Sequence, residues 1–250
     1  MEFDWELLFL VGAGFIAGIV NTIAGGGSLL TLPLLIFLGL ESSVANGTNR
    51  IAIFIQNIFS TAGFKSKGIS MFPFNIYLGI AALIGSLIGV IIAVDIEGEV
   101  FNKILAFVMV AVVLFMILNR NQNLEKLQER LTGKYLWLGM IAFFFIGIYG
   151  GFIQAGTGFF ILLALSTINQ LSLVKSNATK TVVVLIYTAG AIVTFAYHDK
   201  INWQYGFILA IGNASGAWLA SRWSVSKGDS LVKIFLIVMV TVMAIKLWFF

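Results

Sequence analysis

Long apolar runs, interrupted by glycine clusters and short charged connections, set the pattern of the chain. Ten can be read, at 5–24, 28–40, 44–63, 74–95, 100–118, 134–155, 158–169, 175–197, 203–221 and 230–249. Most are close to the ~20 residues that a membrane-crossing helix needs, so the pattern predicts an all-α polytopic membrane protein. The second and seventh runs are different. Ser28 to Leu40 spans 13 residues, about 20 Å as a helix, against a hydrocarbon core of about 30 Å. These two are expected to be short crossings, half-helices or the return arms of re-entrant hairpins. Each option places the preceding glycine turn inside the membrane or near it.

Composition narrows the class. Of 250 residues, 60% are hydrophobic and 10% charged, and the mean hydropathy is +1.01. Soluble domains carry about 25% charged residues. The absence of Cys excludes disulfides and thiolate metal sites. The start of the chain, Met1-Glu2-Phe3-Asp4-Trp5-Glu6, is acidic, unlike the basic region that opens a secretory signal, so the first apolar run is expected to be retained.

Charge placement adds an orientation. The eleven acidic residues fall at the N-terminus or in connections: Glu2, Asp4, Glu6, Glu41, Asp95, Glu97, Glu99, Glu125, Glu129, Asp199 and Asp229. With alternating segments, Lys65, Lys67, Arg120, Lys126, Arg130, Lys134, Lys175, Arg222, Lys227 and Lys233 collect on one side, and Lys103, Lys200 and Lys246 on the other. The excess of positive charge marks the first side as cytoplasmic and puts both termini outside. Each half then contributes an odd number of reversals, and a second half that repeats the first must be inserted upside down.

The repeat is visible. A shift of 131 residues brings Gly25 onto Gly156, Gly27 onto Gly158, Asn46 onto Asn177 and Thr48 onto Thr179. A slightly smaller shift brings Gly85-Ser86-Leu87-Ile88-Gly89 onto Gly212-Asn213-Ala214-Ser215-Gly216. The expected organisation is two inverted five-segment repeats, residues 1–118 and 134–250, joined by a cytoplasmic linker at 119–133. Interrupted helices at matching places of inverted repeats point to a binding site at mid-membrane.

The candidate site is drawn from the two breaks and the polar starts of segments 3 and 8. Gly25, Gly26, Gly27 and Ser28 form the first break, and Gln154, Gly156, Thr157 and Gly158 the second. A helix that begins in the bilayer presents unpaired N–H groups and the positive end of its dipole, an arrangement suited to an anion. Close helix packing also selects glycine and is the competing reading. Arg50 and Lys180 sit in the first turns of apolar segments with no acidic partner in any span. They default to function, with an anionic substrate supplying the countercharge, or else they reach back to water at the membrane edge. Asn46, Thr48, Asn49, Asn177 and Thr179 would add polar contacts. Asn46, Asn177 and Asn213 also begin glycosylation sequons. The small-residue pairs Gly14/Gly18, Gly85/Gly89, Gly147/Gly151 and Gly212/Gly216 are read as packing faces. Gln56 and Asn57 are membrane-embedded amides that bond between helices or line a path.

Other classes find little support. The single histidine, His198, lies in a turn and excludes multi-His metal sites, and Ser28 has no evident base, so no enzyme is expected. Basic residues do not cluster with aromatics, so nucleic acid is not a partner. No cofactor is implied. The partners are the lipid bilayer and a small anion. Oligomeric state is open, a homodimer included.

The stretch Phe15-Ile-Ala-Gly-Ile-Val-Asn-Thr-Ile-Ala-Gly-Gly-Gly-Ser-Leu-Leu-Thr-Leu-Pro-Leu-Leu, with Val44-Ala-Asn-Gly-Thr-Asn, resembles the TauE/SafE sulfite exporter family, also called TSUP permeases. Gly150-Gly-Phe-Ile-Gln-Ala-Gly-Thr-Gly-Phe-Phe and Lys175-Ser-Asn-Ala-Thr-Lys carry the resemblance through the second half. It implies an inner-membrane carrier of sulfur-containing anions such as sulfite or organosulfonates. Ser28 departs from the family, which often has a fourth glycine there. An anion channel-like conduit and a non-transporting assembly protein are the alternatives.

Overall fold

The computed structural model describes residues 5–118 and 128–223. Among them are nine helices and no strand: α1 Trp5–Ala24, α2 Ser28–Phe37, α3 Ser42–Lys65, α4 Phe74–Asp95, α5 Gly98–Leu118, α6 Lys134–Phe152, α7 Thr157–Thr167, α8 Leu173–Tyr197 and α9 Trp203–Trp223. The predicted segment at 230–249 and linker residues 119–127 lie outside the described residues, as do Lys227, Lys233 and Lys246. Segment 7 begins one residue earlier than its apolar run suggests, because Thr157 already belongs to α7.

Among the described residues, four helices are both long and apolar enough to cross a membrane: α1, α4, α6 and α8. α3 has the length, at 24 residues, but its first turns carry Asn46, Thr48, Asn49 and Arg50. α2 and α7, with 10 and 11 residues, reach only about 15–17 Å at 1.5 Å per residue. Neither spans the hydrocarbon core alone.

Small residues decide which helices touch. Methyl groups added to Gly14 and Gly18 of α1 would overlap backbone at Leu209 and Asn213 of α9, and Gly212 and Gly216 of α9 face Val11 and Phe15 in return. The second pair repeats the device: Gly85 and Gly89 of α4 meet Phe144 and Ile148 of α6, while Gly147 and Gly151 meet Ala82 and Ser86. Without side chains the backbones close to direct contact, which is how helices gain dispersion energy in lipid. All four glycine pairs are therefore packing faces.

The contacts also fix directions. Residue numbers rise together along α1 and α9, and along α4 and α6. α3 runs with α9, since Thr48 meets Asn202 and Gly63 meets Ser221. α3 opposes α8, since Gly47 meets Phe195 and Thr61 bonds Thr181. α8 runs with α4, as Gly79 meets Ile186 and Gly190 meets Leu83 and Leu87. So α1, α3 and α9 point one way, and α4, α6 and α8 the other. Lys65, Lys67, Arg130, Lys134, Lys175 and Arg222 gather at the end where α3 and α9 finish. Glu41, Asp95, Glu97 and Lys200 lie at the opposite end.

Burial is inside-out relative to a soluble protein. Ile80, Ile84, Ile88 and Ile91 of α4, and Trp137, Ile141 and Phe145 of α6, are exposed on outer faces. Asn46, Arg50, Gln56, Gln154, Asn177 and Lys180 are buried. Lipid, not water, suits such a surface, and the chain is a polytopic helical membrane protein.

Candidate functional site

The two breaks are built alike and meet. Gly25 ends α1 with φ +80°, and Gly156 opens α7 with φ +74°. Both values lie in the left-handed region that glycine adopts without steric cost. A methyl on Gly25 would lie 2.6 Å from the Cα of Gly158, so the turns touch backbone to backbone. Gly27 instead faces its own preceding helix, where a methyl would overlap the carbonyl of Ala17. Gly26 is buried between them.

Gln154 ties the breaks together. Its carbonyl accepts from the Ser28 hydroxyl at 3.2 Å and from the Thr157 hydroxyl at 2.8 Å. Its own backbone has φ +63°, uncommon for a residue with a side chain. Its Oε1 accepts from Arg50 Nη1 at 2.6 Å. First break, second break and buried cation thus converge on one residue.

Each cation holds the broken helix of the other half. Arg50 of α3 donates through Nη1 to the Gly150 carbonyl at 2.5 Å and through Nη2 to the Gly151 carbonyl at 2.8 Å. Nη2 also reaches Asn46 Oδ1 at 3.1 Å, and Asn46 Nδ2 donates to the Phe152 carbonyl at 2.7 Å. Across the junction, Lys180 Nζ of α8 donates to the Asn21 and Thr22 carbonyls at 2.7 and 3.1 Å and to Asn177 Oδ1 at 2.7 Å. Asn177 Nδ2 donates to the Ile23 carbonyl at 2.9 Å. The asparagine-and-cation pair of α3 caps α6, and that of α8 caps α1.

The reason lies in helix ends. The last carbonyls of a helix have no intrahelical donor and together carry about half a negative charge. Water cannot satisfy them at membrane depth. Arg50 and Lys180 do so, which explains cations without acidic partners: the helix C-termini supply the countercharge that the sequence pattern alone would reserve for a substrate. Snorkelling to water is excluded. The two residues are 0% and 3% exposed, and Arg50 lies about 12 Å along α3 from its start at Ser42.

The remaining candidates divide. Asn49 joins α2 to α3, its Oδ1 accepting from Thr31 at 2.7 Å. Thr48 turns away from the breaks to accept from the Asn202 backbone N–H at 2.8 Å. Thr179 folds back onto the Lys175 carbonyl of its own helix. Gln56 bonds Asn213 between α3 and α9, and Asn57 bonds the Ile53 carbonyl within α3. Asn46, Asn177 and Asn213 are buried, so none of the three sequons is presented for glycosylation. His198 is exposed at the end of α8.

Tyr187 is absent from the sequence-based set and belongs beside it. It is fully buried on α8, next to Arg50, Gln154 and Thr157. A methyl on Gly150 would lie 3.2 Å from its hydroxyl. That hydroxyl makes no hydrogen bond of full geometry, and neither does Nε of Arg50 or Nδ2 of Asn49. A tyrosine in mid-span, away from the interfaces where tyrosine is enriched, was the available signal.

Comparison with known proteins covers nearly the whole chain. A family model described as sulfite exporter TauE/SafE matches residues 10–247. The chain is 28% identical over 248 residues to a probable membrane transporter protein of Haemophilus influenzae, covering 99% of this chain and 96% of that one. It is 29% identical over 242 residues to the probable membrane transporter protein YfcA of Escherichia coli K12, covering 96% and 88%. A probable membrane transporter protein ORF9 of a Sinorhizobium species is 27% identical, covering 96% and 92%. No solved structure gives a significant match.

Proposed function

The chain belongs to the sulfite exporter TauE/SafE family of membrane transporters, and from that premise we propose that it carries small sulfur-containing anions, such as sulfite or an organosulfonate, by alternating access around the junction of the two glycine breaks. The observation that carries this reading is the crossed capping. α3 grips the end of α6, α8 grips the end of α1, and the two turns meet at Gly25 and Gly158. Movement of one half against the other must pass through this joint, and buried positive charge is already concentrated there. The site would comprise the breaks with Ser28, Asn49, Arg50, Gln154, Thr157 and Lys180.

Helix directions support two inverted repeats over 1–118 and 134–250. Under the correspondence of α1 with α6, α3 with α8 and α4 with α9, each partner runs opposite to its counterpart. The pairing of α1 with α9 maps onto that of α6 with α4. Basic residues at one end favour that end as cytoplasmic in the inner cell membrane, with the start of α1 outside. An inside-negative potential drives an anion outward with ~2.3 kcal/mol per charge per 100 mV, so export needs no coupling ion.

Flux of radiolabelled sulfite and ethanesulfonate in proteoliposomes, with the potential clamped in both senses, tests the proposal. Saturable flux that follows the potential is expected. Linear, non-saturating flux would favour a conduit, and protein-independent flux would remove transport of these anions.

A further inference from the structure

We propose that Tyr187 is a substrate-contacting, specificity-determining residue, whose hydroxyl acts with the one uncommitted N–H of Arg50 to hold an oxygen of the anion. The assignment rests on the transport reading above and makes the site lopsided towards the second break.

Donor counting separates the two cations. A lysine ammonium has three N–H donors and an arginine five. Those of Lys180 meet Asn21, Thr22 and Asn177. Arg50 directs Nη1 and Nη2 to Gly150, Gln154, Asn46 and Gly151, which leaves Nε–H buried without an acceptor. Lys180 is saturated as a helix cap, whereas Arg50 caps a helix and keeps a donor in reserve.

Tyr187 supplies the second donor. Its hydroxyl is fully buried beside Gln154 and Thr157, yet makes no hydrogen bond of full geometry. It faces the wall that Arg50 grips, because Gly150, whose carbonyl accepts from Arg50, is also the residue whose missing side chain leaves room for the phenol. Tyr187 belongs to the buried cluster that also contains Leu78 and Ala82 of α4 and Phe143 of α6. A buried polar group without a partner costs about 1–3 kcal/mol. Both side chains flank Gly150 and Gln154, and a sulfite or sulfonate oxygen lodged between them would accept from both. A halide, which lacks several oxygens in fixed geometry, gains less from the pair.

Sulfite-dependent thermal stabilisation of the purified full-length protein, run on wild type and Tyr187→Phe, tests the assignment. The expected result is a variant at least as heat-stable as wild type without ligand, since it loses a buried hydroxyl that makes no hydrogen bond of full geometry. The sulfite concentration for half-maximal stabilisation should rise about tenfold or more, the scale of a lost hydrogen bond to a charged group. An unchanged sulfite response in Tyr187→Phe overturns the assignment and leaves the transport reading standing. So does a variant that cannot be recovered folded, because the hydroxyl would then serve the structure. A wild type that responds to neither sulfite nor ethanesulfonate overturns both.

Discussion

Gly25 and Gly158 stand backbone to backbone, although 133 positions separate them in the chain. Neither can gain a Cβ without displacing the other's main chain. The contact locks the break after α1 against the first turn of α7, so the two interruptions are parts of one joint.

Gly158→Ala should therefore destabilise the protein by about 1–3 kcal/mol, the usual cost of overpacking. Gly39 supplies the contrast. It has φ +89° but open space around the missing Cβ, so Gly39→Ala should cost only the ~1–2 kcal/mol of a left-handed backbone. Thermal unfolding in detergent, with folded yield by size exclusion, measures both.

Removing either cap should be costly before it affects any anion. Arg50→Gln leaves the Gly150 and Gly151 carbonyls short of a charged donor, and Lys180→Gln does the same at Asn21 and Thr22. Losses of about 2–6 kcal/mol are expected, since two buried carbonyls lose their donors at about 1–3 kcal/mol each. Asn46→Ala, which spares Arg50, should cost about 1–3 kcal/mol. Denaturation curves of the three variants give the ranking.

The packing glycines make a separate prediction. Gly147 meets Ala82 across the α4–α6 contact, whereas a methyl added to Gly12 of α1 would find nothing within 4 Å. Gly147→Ala should force α4 and α6 apart and lower the melting temperature. Gly12→Ala should leave it unchanged or raise it, by up to about 1 kcal/mol of helix propensity.

At the bundle end opposite the basic cluster, Lys200 pairs with Glu41 at 3.1 Å, and Ser43 donates to the same carboxylate at 2.9 Å. Lys200 chiefly, then Ser43, holds the Glu41 carboxyl below its ordinary range. A depressed carboxyl stabilises the fold above its unfolded value, and the contribution fades as pH falls through the folded one. The pair is exposed, so its worth is under about 1 kcal/mol. Melting temperature against pH should show a small acid-side loss that Lys200→Gln removes.

Much of this was legible in the residues. Glycine clusters after Ile23 and Gln154 announced the short helices α2 and α7. What Arg50 and Lys180 hold was not legible. Besides amide side chains, they hold main-chain carbonyls about 100 and 158 positions away, and every residue carries a carbonyl, so no side-chain pattern marks those partners. Thr48 and Thr179 show the limit of motif symmetry. Their coincidence under a shift of 131 residues suggested a shared role, yet one serves the α8–α9 connection and the other its own helix. Tyr187 sits within a long apolar run, and its mid-span position was the signal that marked it.

The central claim is that the anion binds at the joint of the breaks, and Ser28 offers the most direct probe of it. The chain contains no cysteine, so Ser28→Cys places one thiol beside Gln154. The rate of its modification by methyl methanethiosulfonate should be measured with and without ethanesulfonate, since sulfite itself consumes thiol reagents. Saturable slowing by ethanesulfonate is expected, with no slowing by chloride at equal ionic strength and none at an exposed Thr167→Cys. A modification rate at position 28 that ethanesulfonate leaves unchanged would contradict the account.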